Sequence, residues 1–381
     1  MTETIAAPSQ AAGLEGVVVA ESEISYVDGQ EGRLVYRGYS IEDLAESSSF
    51  EETAKLLLDG ELPDVEELRG FERALAAQRS LDGETLEAVR RFPSTADPMS
   101  ALRTGVSLLG LTDPDRGDNG AEATRRKALR LIARIPTLIA AFDRARRGSD
   151  PLAPRDDLGH AANFLYMLRG GEPDPEDGRV LDVCLVLHAE HGMNASTFAA
   201  RVTAATLSDI HSAITSAVGT LKGPLHGGAN EAVMKMLLEV DQRGVEPAAH
   251  IREMLAAGSK VMGFGHRVYK TMDPRAPILR RFSKDLGERA GDTRWYQMSE
   301  QILATMQAEK GIDPNVDFFS ASTYHALGIP ADLFTPIFAV ARISGWVTHV
   351  EAQYAKNRLI RPRARYVGKR DLRYVPIGER G

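Results

Sequence analysis

The chain has 381 residues, 43% hydrophobic and 26% charged, with a net charge of −7. That is soluble-globular composition, long enough for two domains and a large core, and the acidic balance gives no global attraction to nucleic acid or to an anionic membrane. The single cysteine, Cys184, excludes an internal disulfide and sits among Val183, Leu185, Val186 and Leu187, which predicts a buried thiol in a reducing compartment.

The opening MTETIAAPSQAA lacks the basic start and apolar middle of a signal peptide. No uninterrupted apolar run approaches the ~18 residues of a membrane helix, so a cytoplasmic protein is expected. Residues 16–38, GVVVAESEISYVDGQEGRLVYRG, carry the strand signals. Val17 to Val19, Ile24 to Val27 and Leu34 to Tyr36 are β-rich, and DGQEG supplies turn chemistry, so a short hairpin is predicted. Helix signals then dominate. Ser40 with Asp43, Ser49 with Glu52, and Asp64 with Glu67 are candidate capping boxes. Residues 123–148 alternate basic and apolar residues at helical spacing, with a kink expected at Pro136. Residues 150–157 and 171–178 read as loops.

Residues 179–222 are rich in Ala, Ser and Thr, which let helix backbones approach closely. They suit either a tightly packed internal helix or a helix at a subunit interface. Residues 223–320 are richer in Gly, Pro and charge, and the apolar segment 332–355 precedes a basic tail. The predicted organisation is a large domain beginning with residues 1–222, a smaller domain over 223–320, and a return segment with tail over 321–381. The cleft between the two is the natural ligand site.

Five stretches could carry chemistry. In GPLHGGANEAVMKML, His226 sits on bare backbone at the mouth of a helix, whose dipole disfavours an imidazolium. It is either a neutral hydrogen-bond donor or a turn cap. In GFGHRVYKTMDPRAP, His266 follows glycines, with Arg267, Lys270 and Arg275 around it. This is an anion-holding loop or a surface loop with scattered charge. It is no dinucleotide fingerprint, since Val268 stands where the third glycine belongs. In NVDFFSAS, Asp317 has apolar neighbours that would make it a stronger base, unless it merely caps a helix. In LHAEHGMNAST, His188 and His191 would share a helix face, as a metal pair with Glu190 or Asp317, or as core and anion-binding histidines. Arg342 lies in the apolar run FAVARISGWVTHV and needs a partner unless it snorkels. The tail RLIRPRARYVGKRDLRYVP is either a solvated end or a binder of an anionic ligand across a dimer, and it shows no nucleic-acid reader motif.

Taken in order, HAEHGMNAST, GPLHGGANEAVM, GFGHRVYKTMDPRAP, NVDFFSA, PIFAVARISGWVTHVEAQ and NRLIRPRARYVG resemble citrate synthase along nearly the whole chain, in its compact bacterial and archaeal form. The resemblance implies an all-α fold, a large helical domain with a smaller helical domain inserted, and a homodimer whose cleft closes over oxaloacetate. It implies His226, His266 and Asp317 as the catalytic three and His191 as an oxaloacetate ligand. Arg275, Arg342 and Arg361 would grip its carboxylates, Arg361 reaching over from the other subunit. Lys270 takes the place of a basic residue near the coenzyme A phosphates.

The implied reaction joins acetyl-CoA to oxaloacetate through an enol or enolate and citryl-CoA, the first step of the tricarboxylic acid cycle. It needs no metal or other cofactor, the coenzyme A thioester being a substrate. One alternative is 2-methylcitrate synthase using propionyl-CoA, a difference of one methylene worth about 1–3 kcal/mol in a pocket. Others are a metal-dependent hydrolase using His188, His191 and Asp317, and a non-catalytic helical dimer scaffold.

Overall fold

The computed structural model describes residues 12–14, 16–266 and 268–380. Strand β1 (Ser25–Asp28) pairs antiparallel with β2 (Arg33–Tyr36), Ser25 opposite Tyr36 and Asp28 opposite Arg33. The two-residue β3 (Tyr39–Ser40) adds to β2. The turn is held by Asp28, whose Oδ1 accepts the N–H groups of Gln30 and Glu31 at 2.8 and 2.9 Å. Val17 to Val19, expected as strand, are exposed coil: β-propensity without a pairing partner or a buried face makes no strand.

Sixteen α-helices follow among the described residues. They are α1 (Ile41–Ser47), α2 (Phe50–Asp59), α3 (Val65–Ala76), α4 (Gly83–Arg90), α5 (Pro98–Thr112), α6 (Ala121–Arg146), α7 (His160–Arg169) and α8 (Pro175–His188). Then come α9 (Ala195–Ala204), α10 (Ile210–Leu221), α11 (Ala229–Arg243), α12 (Pro247–Ala256), α13 (Ala276–Ala290), α14 (Arg294–Lys310), α15 (Val316–Ala326) and α16 (Phe334–Ala355). The all-α class expected of the sequence is the class observed.

Ser40, Ser49 and Asp64 each cap a helix as predicted. At Asp64 the box is complete: Oδ1 accepts from Glu66 N and Glu67 N, and Glu67 Oε2 accepts the Asp64 N–H at 3.0 Å. Helix α6 continues through Pro136, whose ring is buried among neighbouring helices. The loop expected over 171–178 stops at Asp174, because Pro175 opens α8 at a position where its missing N–H costs nothing. The small-residue stretch, residues 179–222, covers most of α8 and all of α9 and α10; α9 and α10 pack on each other and on α16, and α10 also packs on α5.

Helix α16 is the centre of the larger group. It is long and apolar enough to cross a membrane by length and composition, yet its apolar window is wholly buried in protein. It packs against α2, α5, α6, α8, α9, α10 and α11. Helices α11 to α15 pack mainly on one another. Cys184 is buried, and burial pushes its thiol up, away from reactivity. Beyond α16 the tail, residues 357–380, is coil with one 3-10 turn (Ile377–Glu379) and almost wholly exposed, with Leu359, Tyr366, Val367, Tyr374 and Ile377 bare to solvent.

The cap at Asp64 is exposed, on a helix, α3, that packs on α2 and α6. Asp64→Ala should lower stability by about 1 kcal/mol, read as a lower urea midpoint, with no change in catalytic constants.

Candidate active site

His226 lies in the loop joining α10 to α11. Gly227 makes that loop possible. Its N–H donates to Leu221 O at 3.0 Å, and a Cβ there would lie 2.5 Å from the same oxygen, so no side chain fits. Thr335, at the start of α16, donates its hydroxyl to Gly227 O at 3.1 Å. The His226 ring turns its Nε2 to Ser196, with Ser196 Oγ at 2.8 Å and Ser196 N–H donating at 3.3 Å.

A backbone N–H can only donate, so Nε2 is the bare nitrogen and Nδ1 carries the hydrogen. Ser196 is the second residue of α9, behind the cap Asn194. The orphan N–H groups of α9, rather than those of α11, therefore face the imidazole. Trp346 Nε1–H donates to Ser196 Oγ at 3.1 Å, and Asn194 Oδ1 lies 2.8 Å away and shares the hydroxyl hydrogen. Burial, then the charge of Arg342, lowers the His226 imidazole to about 4. It is neutral at pH 7.

His266 has the opposite tautomer. Its Nδ1 accepts the N–H groups of Val268 and Tyr269 at 3.0 and 3.1 Å, so its hydrogen is on Nε2. Burial, then Arg275, lowers it to about 4. The loop before it needs glycine twice. Gly263 has φ +85°, and a Cβ there would meet Phe318 and Val233 at 2.8 Å; Gly265 has φ +75°. The same loop is stitched to the segment leading into α15. Gly263 O accepts Asn315 N–H at 2.9 Å, and Gly265 O accepts Asn315 Nδ2 at 2.9 Å.

Asn315 caps α15 by accepting the Asp317 N–H at 3.0 Å. Asp317 Oδ1 is buried and has no hydrogen-bond partner among the described residues. A helix N-terminus favours a carboxylate, but here burial wins. It raises the carboxyl to about 7, against the lowering charges of Arg275 and Arg342.

His191 joins this group from the segment after α8. Its Nε2 lies 3.1 Å from Tyr269 Oη, and its ring lies 5.2 Å from that of His266. Burial, then Arg275, keeps it well below the usual imidazole range. Arg275 is 2% exposed and holds Asp273 through two bonds, Nε to Oδ1 at 2.9 Å and Nη2 to Oδ2 at 2.7 Å. Arg342 is 1% exposed, donates Nε–H to His188 O at 2.7 Å, and lies over the Phe338 ring at 4.6 Å. Its terminal nitrogens have no hydrogen-bond partner among the described residues.

Arg342 perturbs His226, His191 and Asp317 alike, and Arg275 perturbs His191, His266 and Asp317. Six sequence-predicted residues thus share one electrostatic neighbourhood. Lys270 stands beside it, exposed, and Arg361 lies apart on the exposed tail.

The expectation that His188 and His191 share a helix face does not hold. Helix α8 ends at His188, whose Nδ1 is 2.7 Å from Cys184 O, and His191 lies past the end. Among the described residues no three His, Cys, Asp or Glu side chains gather as metal ligands. Sequence reasoning missed Ser196, Trp346, Tyr269 and Asp273 as supports of the site. All four lie inside the motifs quoted above, but nothing in a linear motif tells which side chain each one holds. The arrangement offers two neutral N–H donors, one carboxylate of raised basicity and two buried guanidinium groups.

Residues 13–363 match the family described as citrate synthase, C-terminal domain. The citrate synthase of Haloferax volcanii is 53% identical over 372 residues, 97% of this chain and 98% of that protein. Citrate synthase 2 of Bacillus subtilis is 51% identical over 370 residues, 97% of this chain and 98% of that one. The crystal structure of citrate synthase from Pyrobaculum aerophilum superposes with a TM-score of 0.89 at 42% identity, over 97% of this chain and 95% of the other.

A nitrogen-15 histidine titration tests the His226 geometry. The ring should stay neutral from pH 8 to pH 6, with its hydrogen on Nδ1, and protonate near about 4. The unfolded imidazole, at about 6.5, takes its proton first. The contribution of this group to stability is therefore intact above about 6.5 and declines as pH falls towards 4. A midpoint above 6, or a hydrogen on Nε2, would contradict the assignment.

Proposed function

The chain belongs to the citrate synthase family, and from that premise we propose how its residues divide the work. The protein is a citrate synthase: it condenses acetyl-CoA with oxaloacetate and water to give citrate and coenzyme A. Asp317 removes a methyl proton from acetyl-CoA. The electron pair left behind moves to the thioester oxygen, and His226 meets it with Nδ1–H, giving an enol or enolate. His266 presents Nε2–H to the oxaloacetate ketone, drawing electron density from the carbon under attack. His191 holds the same substrate. The enol carbon attacks the ketone carbon to form citryl-CoA, which water cleaves to citrate and coenzyme A.

The raised carboxyl of Asp317 is the observation that carries this reading. A thioester methyl is a very weak acid, and a base near 7 is stronger than an ordinary aspartate while still ionised in good part at pH 7. Two imidazoles held neutral can donate without being acids in bulk solution.

Carboxylate binding falls to Arg342, through its terminal nitrogens, to the Nη1 of Arg275 left over from Asp273, and to Arg361 of a second copy of the chain. The exposed apolar residues of the tail support a homodimer, since a free monomer would leave them bare. Lys270 is the candidate for the coenzyme A phosphates. Residues 223–320 act as the smaller domain, closing over the substrates and keeping water out until condensation is complete. The reaction is the entry of two carbons into the tricarboxylic acid cycle, with acetyl-CoA as the preferred thioester.

Four measurements test this. Asp317→Asn should lower kcat by about 10³-fold while calorimetry still registers oxaloacetate. The acid limb of kcat/KM for acetyl-CoA should fall as pH drops through about 7, because protonation removes the base. A limb at ordinary carboxylate pH would refute the role. Arg361→Ala and Asp317→Ala chains should each be inactive alone, and mixed dimers should regain activity at one site of two. No recovery on mixing would mean that Arg361 does not act in trans. Turnover of propionyl-CoA above that of acetyl-CoA would move the substrate to the 2-methylcitrate reaction.

A further inference from the structure

The β1–β2 turn touches the loop that carries His266, and it does so by backbone. Lys270 N–H donates to Gly29 O at 2.7 Å. A Cβ at Gly29 would lie 2.1 Å from Val268 O, and a Cβ at Gly32 would lie 2.9 Å from Met272 O. Both glycines are thus required for the approach. The residues they press on, 268–272, begin with the two whose N–H groups define the His266 ring, Val268 and Tyr269.

The other end of the same hairpin grips the segment that carries His191. Ser25 Oγ donates to Glu190 Oε1 at 3.0 Å and accepts Gly192 N–H at 3.1 Å. Tyr36 Oη donates to Glu190 O at 2.8 Å and accepts Glu190 N–H at 3.2 Å. Tyr269, whose hydroxyl meets His191, lies between the two grips, directly before Lys270.

We propose that the hairpin is a positioning brace for the ketone-binding histidines: the Gly29 carbonyl holds the 268–270 backbone, and that backbone holds His266 with its hydrogen on Nε2. The hairpin touches no reacting atom itself. It fixes the distance and angle between His266 and His191, which come from segments 75 residues apart in the sequence (266 − 191). The turn is rigid enough for the task, because Asp28 takes two of its N–H groups. This inference rests on the reading of His266 as the group that polarises oxaloacetate.

The test uses Gly29→Ala, whose new Cβ must push Val268 away, and Asp28→Ala, which loosens the turn without adding bulk. Gly70→Ala, on α3 with open space around it, is the control. Nitrogen-15 histidine spectra, oxaloacetate KM, acetyl-CoA KM, kcat and Tm are measured for each. Gly29→Ala should lose the bare-Nδ1 signature of His266 and raise the oxaloacetate KM up to about 100-fold, with the acetyl-CoA KM within about twofold. Asp28→Ala should move the same quantities in the same direction by less.

A lowered Tm alone, with the His266 signature and oxaloacetate KM unchanged, overturns the proposal. Should Gly29→Ala fail to fold, Asp28→Ala and amide exchange of the unaltered protein decide. The Lys270 N–H should be protected, and exchange at the rate of an open loop overturns the brace. If the unaltered protein makes no citrate, the functional reading fails, while the His266 spectra still judge the brace.

Discussion

A guanidinium buried in the middle of an apolar helix is the constraint on which the site depends. Arg342 is enclosed by α16 and its neighbours and spends one hydrogen bond on His188 O. Burial alone would push its charge out, and it does lower the guanidinium to about 10, yet at neutral pH the charge persists. That fixed positive charge acts in a region from which water is largely excluded, where it is weakly screened. It opposes protonation of His226, His188 and His191 and favours ionisation of Glu190. Around Asp317 it works against burial and loses, and the balance leaves the carboxyl near 7. Burial is the first cause that keeps the imidazoles neutral, and Arg342 adds to it at His226, His188 and His191; at Asp317 it joins Arg275 in opposing the rise that burial produces.

Close backbone approach is the second condition. Each loop that brings a reacting side chain inward does so through a glycine whose missing Cβ is filled by something else. Gly227 lies against Leu221 O, and Gly263 against Phe318. On α16 itself, a Cβ at Gly345 would lie 2.3 Å from Glu190 Oε2. That last glycine lets the segment before His191 lie flat on the central helix. There Glu190 Oε1 is met by Ser25 Oγ at 3.0 Å and His349 Nε2 at 3.1 Å. Two of the buried polar atoms without partners among the described residues, Glu190 Oε2 and Asp317 Oδ1, belong to carboxyl groups that interact with Arg342. Such atoms are costly in a core, and their place beside Arg342 is consistent with a site held ready at the expense of stability.

Much of this was legible in the sequence because the chemistry-bearing residues sit inside short motifs of unusual composition. Apolar neighbours of Asp317 announced a carboxyl of raised basicity, and an arginine in FAVARISGW announced a buried charge. What failed to be legible was relational. His188 and His191 were read as helix neighbours because spacing says nothing of where a helix stops; α8 stops between them. The positive helix end facing His226 was read as the one that follows it in sequence, but it belongs to α9, which the ring reaches through Ser196, 30 residues earlier. Trp346 lies 150 residues from the hydroxyl it supports. Val17 to Val19 had the propensity of a strand and no partner to pair with.

The commitment of Arg275 explains why one chain leaves the site short of positive charge. Oxaloacetate carries two carboxylates, and a guanidinium binds a carboxylate best through two parallel N–H groups. Arg275 gives one such edge to Asp273, whose Oδ2 also takes the Val316 N–H at 3.2 Å. That pairing anchors the start of α15, and with it Asp317, so it cannot be surrendered to substrate without moving the base. Arg275 therefore has a single edge group to offer, and Arg342 alone cannot balance a dianion. On the proposed reading, the further charge comes from another element. The tail carries Arg361 in a solvent-exposed coil segment with bare apolar side chains on either side, a form suited to lying on another surface. In the proposed dimer, Arg361 of a second copy would complete the charge balance of each site, leaving Arg275 free to hold the start of α15 through Asp273.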